Sequence, residues 1–355
     1  MARRFRTLTD AVAHPDTTLR RYLDGRFPYV RPIQDAYRAA AGPMLVPPGE
    51  APSGTVGAAF DAQLRFTLDP AHTDTLATRS PDLLRRQVLR DAVAEAVALA
   101  GPAAAAGDED TAARASWVYA LGTELYRNPR AKDGSPLREF FDRPAVTAAD
   151  LLALAPPDAL RQLSALAAVA RERLLPHLHG DLRLGVEFDG SQLCRAEADV
   201  ISGGLLLEVK ARRGKERHPR GSDVWYDDLP GDVLHQLLGY LLFDRSDTYR
   251  IDRIGVYSAR YGTFAVWDVG ATLAAMAGEP VDLAAERAQV WRILEAEAAD
   301  RAARTAVVEQ ITVLSCPCPR CGAAEGDPCD WERPYPHVER IRARRARRDD
   351  VRRSL

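Results

Sequence analysis

The chain has 355 residues, with 48 basic and 50 acidic side chains and a formal net charge of −2. At roughly 100–200 residues per domain that length predicts two or three domains, and 46% hydrophobic with 28% charged residues excludes a disordered chain. No apolar run approaches the roughly 20 residues that span a bilayer, and the start MARRFRTLTD lacks the apolar stretch of a secretory signal, so a cytoplasmic protein is expected.

Residues 1–53 hold a charged start, several prolines and the loop-like run Pro47-Pro48-Gly49-Glu50-Ala51-Pro52, and read as an N-terminal extension. Residues 56–66 carry Phe60 and Leu64 at helical spacing. From about 80 to 175 the chain is Ala/Leu-rich and helical, broken at Gly101-Pro102, at 128–136 and at Pro156-Pro157. The pattern then changes. Residues 182–188, 196–202, 205–211, 253–260 and 263–269 are short, apolar and rich in β-branched or aromatic side chains, which predicts strands. A Leu-rich helix is expected over 232–244 and another over about 283–304, followed by a cysteine cluster and an Arg-rich tail. Only three of the basic residues are lysines (Lys132, Lys210, Lys215), so most Arg carries little information but a Lys inside an apolar strand does.

That strand belongs to the most informative stretch. Residues 196–202 and 205–210 flank Gly203-Gly204, a two-residue loop in which both positions tolerate positive φ. With the glycines as the loop, Ser202 pairs with Leu205, Asp199 lies opposite Glu208 and Glu197 opposite Lys210. Alternation along the strands puts all four on one face. Like charges directly across a ladder are destabilising, and a divalent cation between the carboxylates removes the conflict. Such oxygen ligands suit Mg²⁺ or Mn²⁺, with Lys210 placed to orient or activate a water and Glu197 to tune it. The bland reading is a solvated sheet face with one Glu–Lys pair, but the apolar flanks on both faces argue for a buried strand, where carboxylates need partners. Downstream, Gln236 and Tyr240 stand one helical turn apart, able to bond phosphate oxygens or to position Lys210. After Lys210, the basic run Arg212-Arg213-Gly214-Lys215-Glu216-Arg217-His218-Pro219-Arg220 reads as a loop, with Arg212, Arg213, Lys215 and Arg217 as candidate phosphate contacts.

An Asp, then Glu208-Val209-Lys210 on the next strand, then Gln236-xxx-Tyr240 on the following helix resembles the PD-(D/E)xK nuclease superfamily, in its RecB-like/Cas4-like branch. The resemblance covers about 90 residues and implies a restriction-endonuclease-like core, a mixed sheet flanked by helices. It also implies a metal-dependent nuclease that hydrolyses phosphodiester bonds, most simply in DNA, with Asp199 and Glu208 as Mg²⁺ or Mn²⁺ ligands. That branch has an upstream GxxxH helix. Here Gly57-Ala58-Ala59-Phe60-Asp61 puts Asp61 where His would stand, either a third metal ligand or a polar residue on an amphipathic helix. The chain has no helicase motif, so a processive, defence or repair partner would be a separate protein. The alternative is a catalytically silent nucleic-acid-binding or scaffold protein that keeps the fold.

The end of the chain has Cys318-x2-Cys321, then Cys329 and His337, a donor set for tetrahedral zinc, with Cys316 spare. The run CPRCGAAEGDPC followed by Pro336-His337 resembles small zinc fingers of actinobacteria and their phages. An iron–sulfur cluster, known in some RecB-like nucleases, would need the distant Cys194 and is the lesser reading. Trp331 and Tyr335 are expected to cover the metal. Residues 338–355 hold eight Arg against three acidic residues, either a nucleic-acid grip or a frayed tail. The expectation is therefore an α/β (α+β) protein with a large helical N-terminal part. Its nuclease domain spans 54–272 with a helical insertion at about 67–180, a helical linker covers 273–313, and a zinc module occupies 314–355.

Overall fold

A computed structural model describes residues 3–128, 130, 133–217, 224–329 and 336–354. Trp331, Tyr335 and His218–Arg220 lie outside the described residues, as do the side chains of Lys215 and Arg217. The helices before the sheet are α1 (Leu8–Ala13), α2 (Thr18–Arg26), α3 (Arg31–Ala40), α4 (Ser53–Leu68), α5 (Pro81–Leu84), α6 (Gln87–Ala98), α7 (Ala100–Ala106), α8 (Glu109–Arg127), α9 (Ala148–Leu152) and α10 (Pro157–Arg173). The strands are β1 (Leu182–Val186), β2 (Ala198–Ser202), β3 (Leu205–Lys210), β4 (Lys215–Arg217), β5 (Val224–Tyr226), β6 (Arg253–Ser258) and β7 (Thr263–Asp268). Helix α11 (Gly231–Phe243) precedes β6, and α12 (Val269–Ala277), α13 (Leu283–Glu309) and α14 (Val338–Ser354) follow β7. This is the expected α/β architecture. Among the described residues no helix is long and apolar enough to cross a membrane.

The main sheet has the order β1-β2-β3-β6-β7. Its pairings are antiparallel except β3 with β6. Parallel neighbours require a crossover, and α11 supplies it. Helices cover both faces. Val200, Leu205, Leu207 and Val209 pack with α4, α6, α8 and α10 in one core, while Ile201, Leu206, Ile254 and Val256 pack with α1–α3 and α11–α13 in the other. Each strand is thus apolar on both sides, and a charged side chain within it needs a partner from a neighbouring helix.

Residues 1–53 are more than an extension. Three helices place Leu8, Leu19, Leu23 and Phe27 in the second core, essentially without exposure. Leu8 seats against Gly239, where a Cβ would collide with its side chain, so the glycine inside α11 admits α1. The basic run after Lys210 is also not simply a loop. Its backbone at 215–217 pairs with 224–226 as a small hairpin, because the left-handed Gly214 (φ 79°) turns the chain into a strand.

The β2–β3 ladder follows the expected register from Ser202 opposite Leu205 to Val200 opposite Leu207 and ends there, short of the expected Asp199–Glu208 and Glu197–Lys210 pairs; Glu197 turns to Arg65 instead. Both turn glycines have positive φ, 51° at Gly203 and 83° at Gly204. A Cβ on Gly203 would lie 2.6 Å from the His179 carbonyl oxygen. Gly203→Val should therefore cost at least about 1–2 kcal/mol from the left-handed backbone alone, measured as a lower urea midpoint. An unchanged midpoint would refute this turn.

Candidate functional site

Two clusters emerge, one acidic at the sheet and one of thiolates at the C-terminus. At the sheet, Leu206, Glu208 and Lys210 share a face of β3 by the two-residue period, and α11 packs over it. The Asp199 Oδ2 accepts from the Val209 N–H at 2.8 Å, which fixes its carboxylate across the hairpin. Lys210 Nζ donates to Glu208 Oε1 and, at 3.3 Å, to Gln236 Oε1. The Gln236 amide in turn donates to the Tyr240 hydroxyl at 2.6 Å. Gln236 and Tyr240 thus form a hydrogen-bonded chain from α11 to the Lys210 ammonium.

The sequence reading missed Arg65. From α4 its guanidinium reaches Asp61 at 3.2 Å, Glu197 at 2.7 Å and Asp199 at 3.8 Å, with only 7% of the side chain exposed. Asp61 is therefore drawn into the acidic cluster, and Glu197 pairs with Arg65. Gly185 on β1, with φ 60°, makes room for the pair, since a Cβ there would lie 2.8 Å from the Arg65 Nη1. The available signal was Asp61 four residues before Arg65 on an otherwise apolar helix, obscured by the abundance of arginine.

The electrostatics follow from burial. Burial, then the neighbouring Glu208, pushes the Asp199 carboxyl well above its ordinary range, and burial raises Glu208 against the pull of Lys210. For Lys210 burial works downward, yet the Glu208 and Asp199 carboxylates outweigh it and the ammonium titrates higher than usual. Glu208 is 2% exposed, and its Oε2 has no hydrogen-bond partner. An orphaned carboxylate oxygen beside a second, half-buried carboxylate is a donor set of the kind a hard divalent cation takes, so Asp199 and Glu208 are the candidate ligands were Mg²⁺ or Mn²⁺ to bind here.

The remaining basic candidates are partly engaged. Arg212 donates to the Asp228 carbonyl at 3.0 Å, and Arg213 lies over the Trp225 ring at 5.9 Å.

In the C-terminal cluster the donor atoms of Cys318, Cys321, Cys329 and His337 all lie within 4.8 Å of one another. Four ligands at about 2.0–2.3 Å from a tetrahedral Zn²⁺ require that kind of clustering. Gly322 is left-handed at φ 72°, which closes the Cys318–Cys321 knuckle. The His337 backbone N–H holds the Cys329 thiol down to about 6, aided by Arg340. Cys316 is buried outside the four-donor group, as is Cys194 near α13.

Arg340 organises this module. Fully buried, it donates to the carbonyls of Val313, Leu314, Cys316, Ala324 and Asp327 and to the Cys329 sulfur at 3.6 Å. The Arg-rich tail is a helix, α14, tied to the end of α13 by Arg348, which donates to the carbonyls of Ile311 and Glu309. Arg342 and Arg345 stay exposed.

Residues 286–354 match the family model of a phage zinc finger domain described as DNA-binding. The C-terminal part is thus similar to a zinc-finger domain and carries a Cys₃His donor set. Its matched span begins inside α13, whose Val290 and Leu294 are buried in the second core. No curated protein and no solved structure matches the chain.

Elemental analysis of the purified chain should give about one zinc, lost in Cys329→Ser, because removing one of four ligands opens the site. Arg340→Met should weaken zinc binding about 10–100-fold, read by competition with a chromophoric chelator. Unchanged affinity would deny Arg340 its organising role.

Proposed function

We propose that this chain is a metal-dependent nuclease acting on DNA, with the zinc module as its DNA grip. The observation that carries the reading is the gathering of Asp199, Glu208 and Lys210 at the β2–β3 hairpin, with the Lys210 ammonium held by Gln236 and Tyr240 from α11. The likeness of residues 286–354 to a DNA-binding zinc finger supports DNA as the polymer.

Mg²⁺ or Mn²⁺ held by Asp199 and Glu208 would supply Lewis-acid stabilisation of charge on a phosphate oxygen. The protein's own groups do the rest. Lys210, cationic beside Glu208, donates a hydrogen bond to the attacking water or to the phosphate as negative charge grows on it. Gln236 holds the Lys210 ammonium, and Tyr240 fixes the Gln236 amide so that its oxygen faces the lysine. The water oxygen forms the new P–O bond while the bond to the leaving sugar oxygen breaks; the attacking water gives its proton to bulk solvent, and the leaving oxygen takes one from solvent. On the module, the exposed Arg342 and Arg345 of α14 offer charge to the backbone.

A second reading has its own observation. Arg65 already neutralises part of the acidic cluster, so a silent DNA-binding protein built on the same sheet is the competing interpretation. The assay that separates them incubates the full-length chain with single- and double-stranded DNA and Mn²⁺. Cleavage is expected, reduced at least about 100-fold in Lys210→Ala. Cleavage that is absent, or indifferent to Lys210, leaves the binding protein as the answer.

DNA binding is tested separately. Arg342→Ala/Arg345→Ala should lower the slope of log affinity against log salt by about 1.8, since each lost phosphate contact on duplex DNA removes about 0.9. An unchanged slope would move the grip elsewhere.

A further inference from the structure

We propose that Arg65 is a resident cation of the acidic centre, taking one of its two cation positions and so limiting the centre to one divalent ion. The inference rests on the catalytic reading of that centre. Four carboxylates meet there, Asp61, Glu197, Asp199 and Glu208, and two side-chain cations answer them, Arg65 and Lys210. With the carboxylates ionised, as metal binding requires of its ligands, four negative charges against two positive ones leave two, the charge of a single Mg²⁺ or Mn²⁺.

The geometry divides the centre into two halves. Lys210 and the unpartnered Glu208 Oε2 occupy one, while the Arg65 guanidinium sits among Asp61, Glu197 and Asp199 in the other. Asp199 belongs to both: its Oδ2 accepts from the Val209 N–H and its Oδ1 faces Arg65. A second ion would need the oxygens that Arg65 already faces. The planar, always charged guanidinium suits that place, because its fixed fork can serve several carboxylates at once. The protein makes room for it. Gly185 adopts a left-handed backbone where any Cβ would press on the Arg65 Nη1 and the Glu197 Oε1, at 2.8 and 3.0 Å.

Arg65 acts through Asp199 and Asp61, so it is a positioning residue. Its removal should be read in metal uptake, which a purely structural role leaves alone. Full-length, zinc-loaded protein is titrated with Mn²⁺, and the free ion is followed by electron paramagnetic resonance. The wild type should take up one Mn²⁺. Arg65→Met, which keeps the side-chain bulk and removes the charge, should take up a second, or bind the first at least about tenfold tighter, because removing a unit charge within a few ångströms of the ion changes its energy by more than 1.4 kcal/mol. Glu197→Gln serves where Arg65→Met does not fold. With Glu197 neutralised, the Arg65 charge acts unopposed on Asp199, so Mn²⁺ should bind at least about tenfold more weakly. One Mn²⁺ of unchanged affinity in folded Arg65→Met, or unchanged affinity in Glu197→Gln, overturns the role of Arg65 and leaves the catalytic reading standing. No uptake by the wild type with uptake by Arg65→Met overturns the metal-dependent reading and keeps Arg65 as the resident cation. No uptake by either overturns both.

Discussion

The constraint on which the sheet depends is the burial of like charges. Asp199 and Glu208 come close enough at the β2–β3 hairpin for each to disfavour the other's charge, inside a sheet that is apolar on both sides. Water reaches Glu208 hardly at all and Asp199 only in part, and a buried carboxylate without a partner is expensive. Each neighbouring element supplies part of the answer. Helix α4 contributes Arg65, β3 its own Lys210, and α11 the Gln236–Tyr240 pair that keeps Lys210 in place. Gly185 on β1 is small so that the Arg65–Glu197 pair fits. The crossover helix and the first long helix are therefore locked to the strands by charge as well as by apolar packing, which is why residues more than 130 positions apart meet here (Arg65 and Glu197).

The core of this arrangement was legible in the sequence because its determinants are local. Gly203-Gly204 sets the hairpin, and counting outward from it gives the ladder as far as Val200 and Leu207, beyond which the Asp199 carboxylate takes the Val209 N–H. The helix over 231–243 announced itself through its Leu content and its Pro230-Gly231 start. Zinc donors are legible for the same reason, since thiols at knuckle spacing have few other uses. What was not legible depends on long-range encounters. Arg65 is one arginine among many, and nothing nearby in sequence reveals that Glu197 and Asp199 will meet it. The helices in 1–53 are short, and their apolar residues gain meaning only against α11 and α13. The strand at 215–217 is equally conditional, existing through its pairing with 224–226.

At the far end of the chain the same physical problem is solved with a different donor set. The segment around the four zinc donors has few large apolar residues, so a hydrophobic core cannot hold it and metal binding has to supply much of the folding free energy. Metal alone fixes four points, leaving the connecting backbone with buried carbonyls to satisfy. Arg340 meets that demand, its donors spread over five carbonyls drawn from both sides of the knuckle.

Arg65 and Arg340 thus do related work in unlike surroundings. A guanidinium carries five N–H donors in a rigid plane and holds its charge at any physiological pH. Among carboxylates it serves as a fixed counter-charge; among carbonyls it serves as a small polar core. A lysine at either position would present three donors on a flexible stem and could not span the same set of acceptors. In a chain with only three lysines the choice of Lys at position 210 then stands out. A compact ammonium that lies between Glu208 and Gln236 can also reach a water or a phosphate, which a guanidinium tied to several partners cannot. The two side-chain cations of the acidic centre differ in kind: the guanidinium of Arg65 is shared among three carboxylates, while the ammonium of Lys210 lies between one carboxylate and one amide.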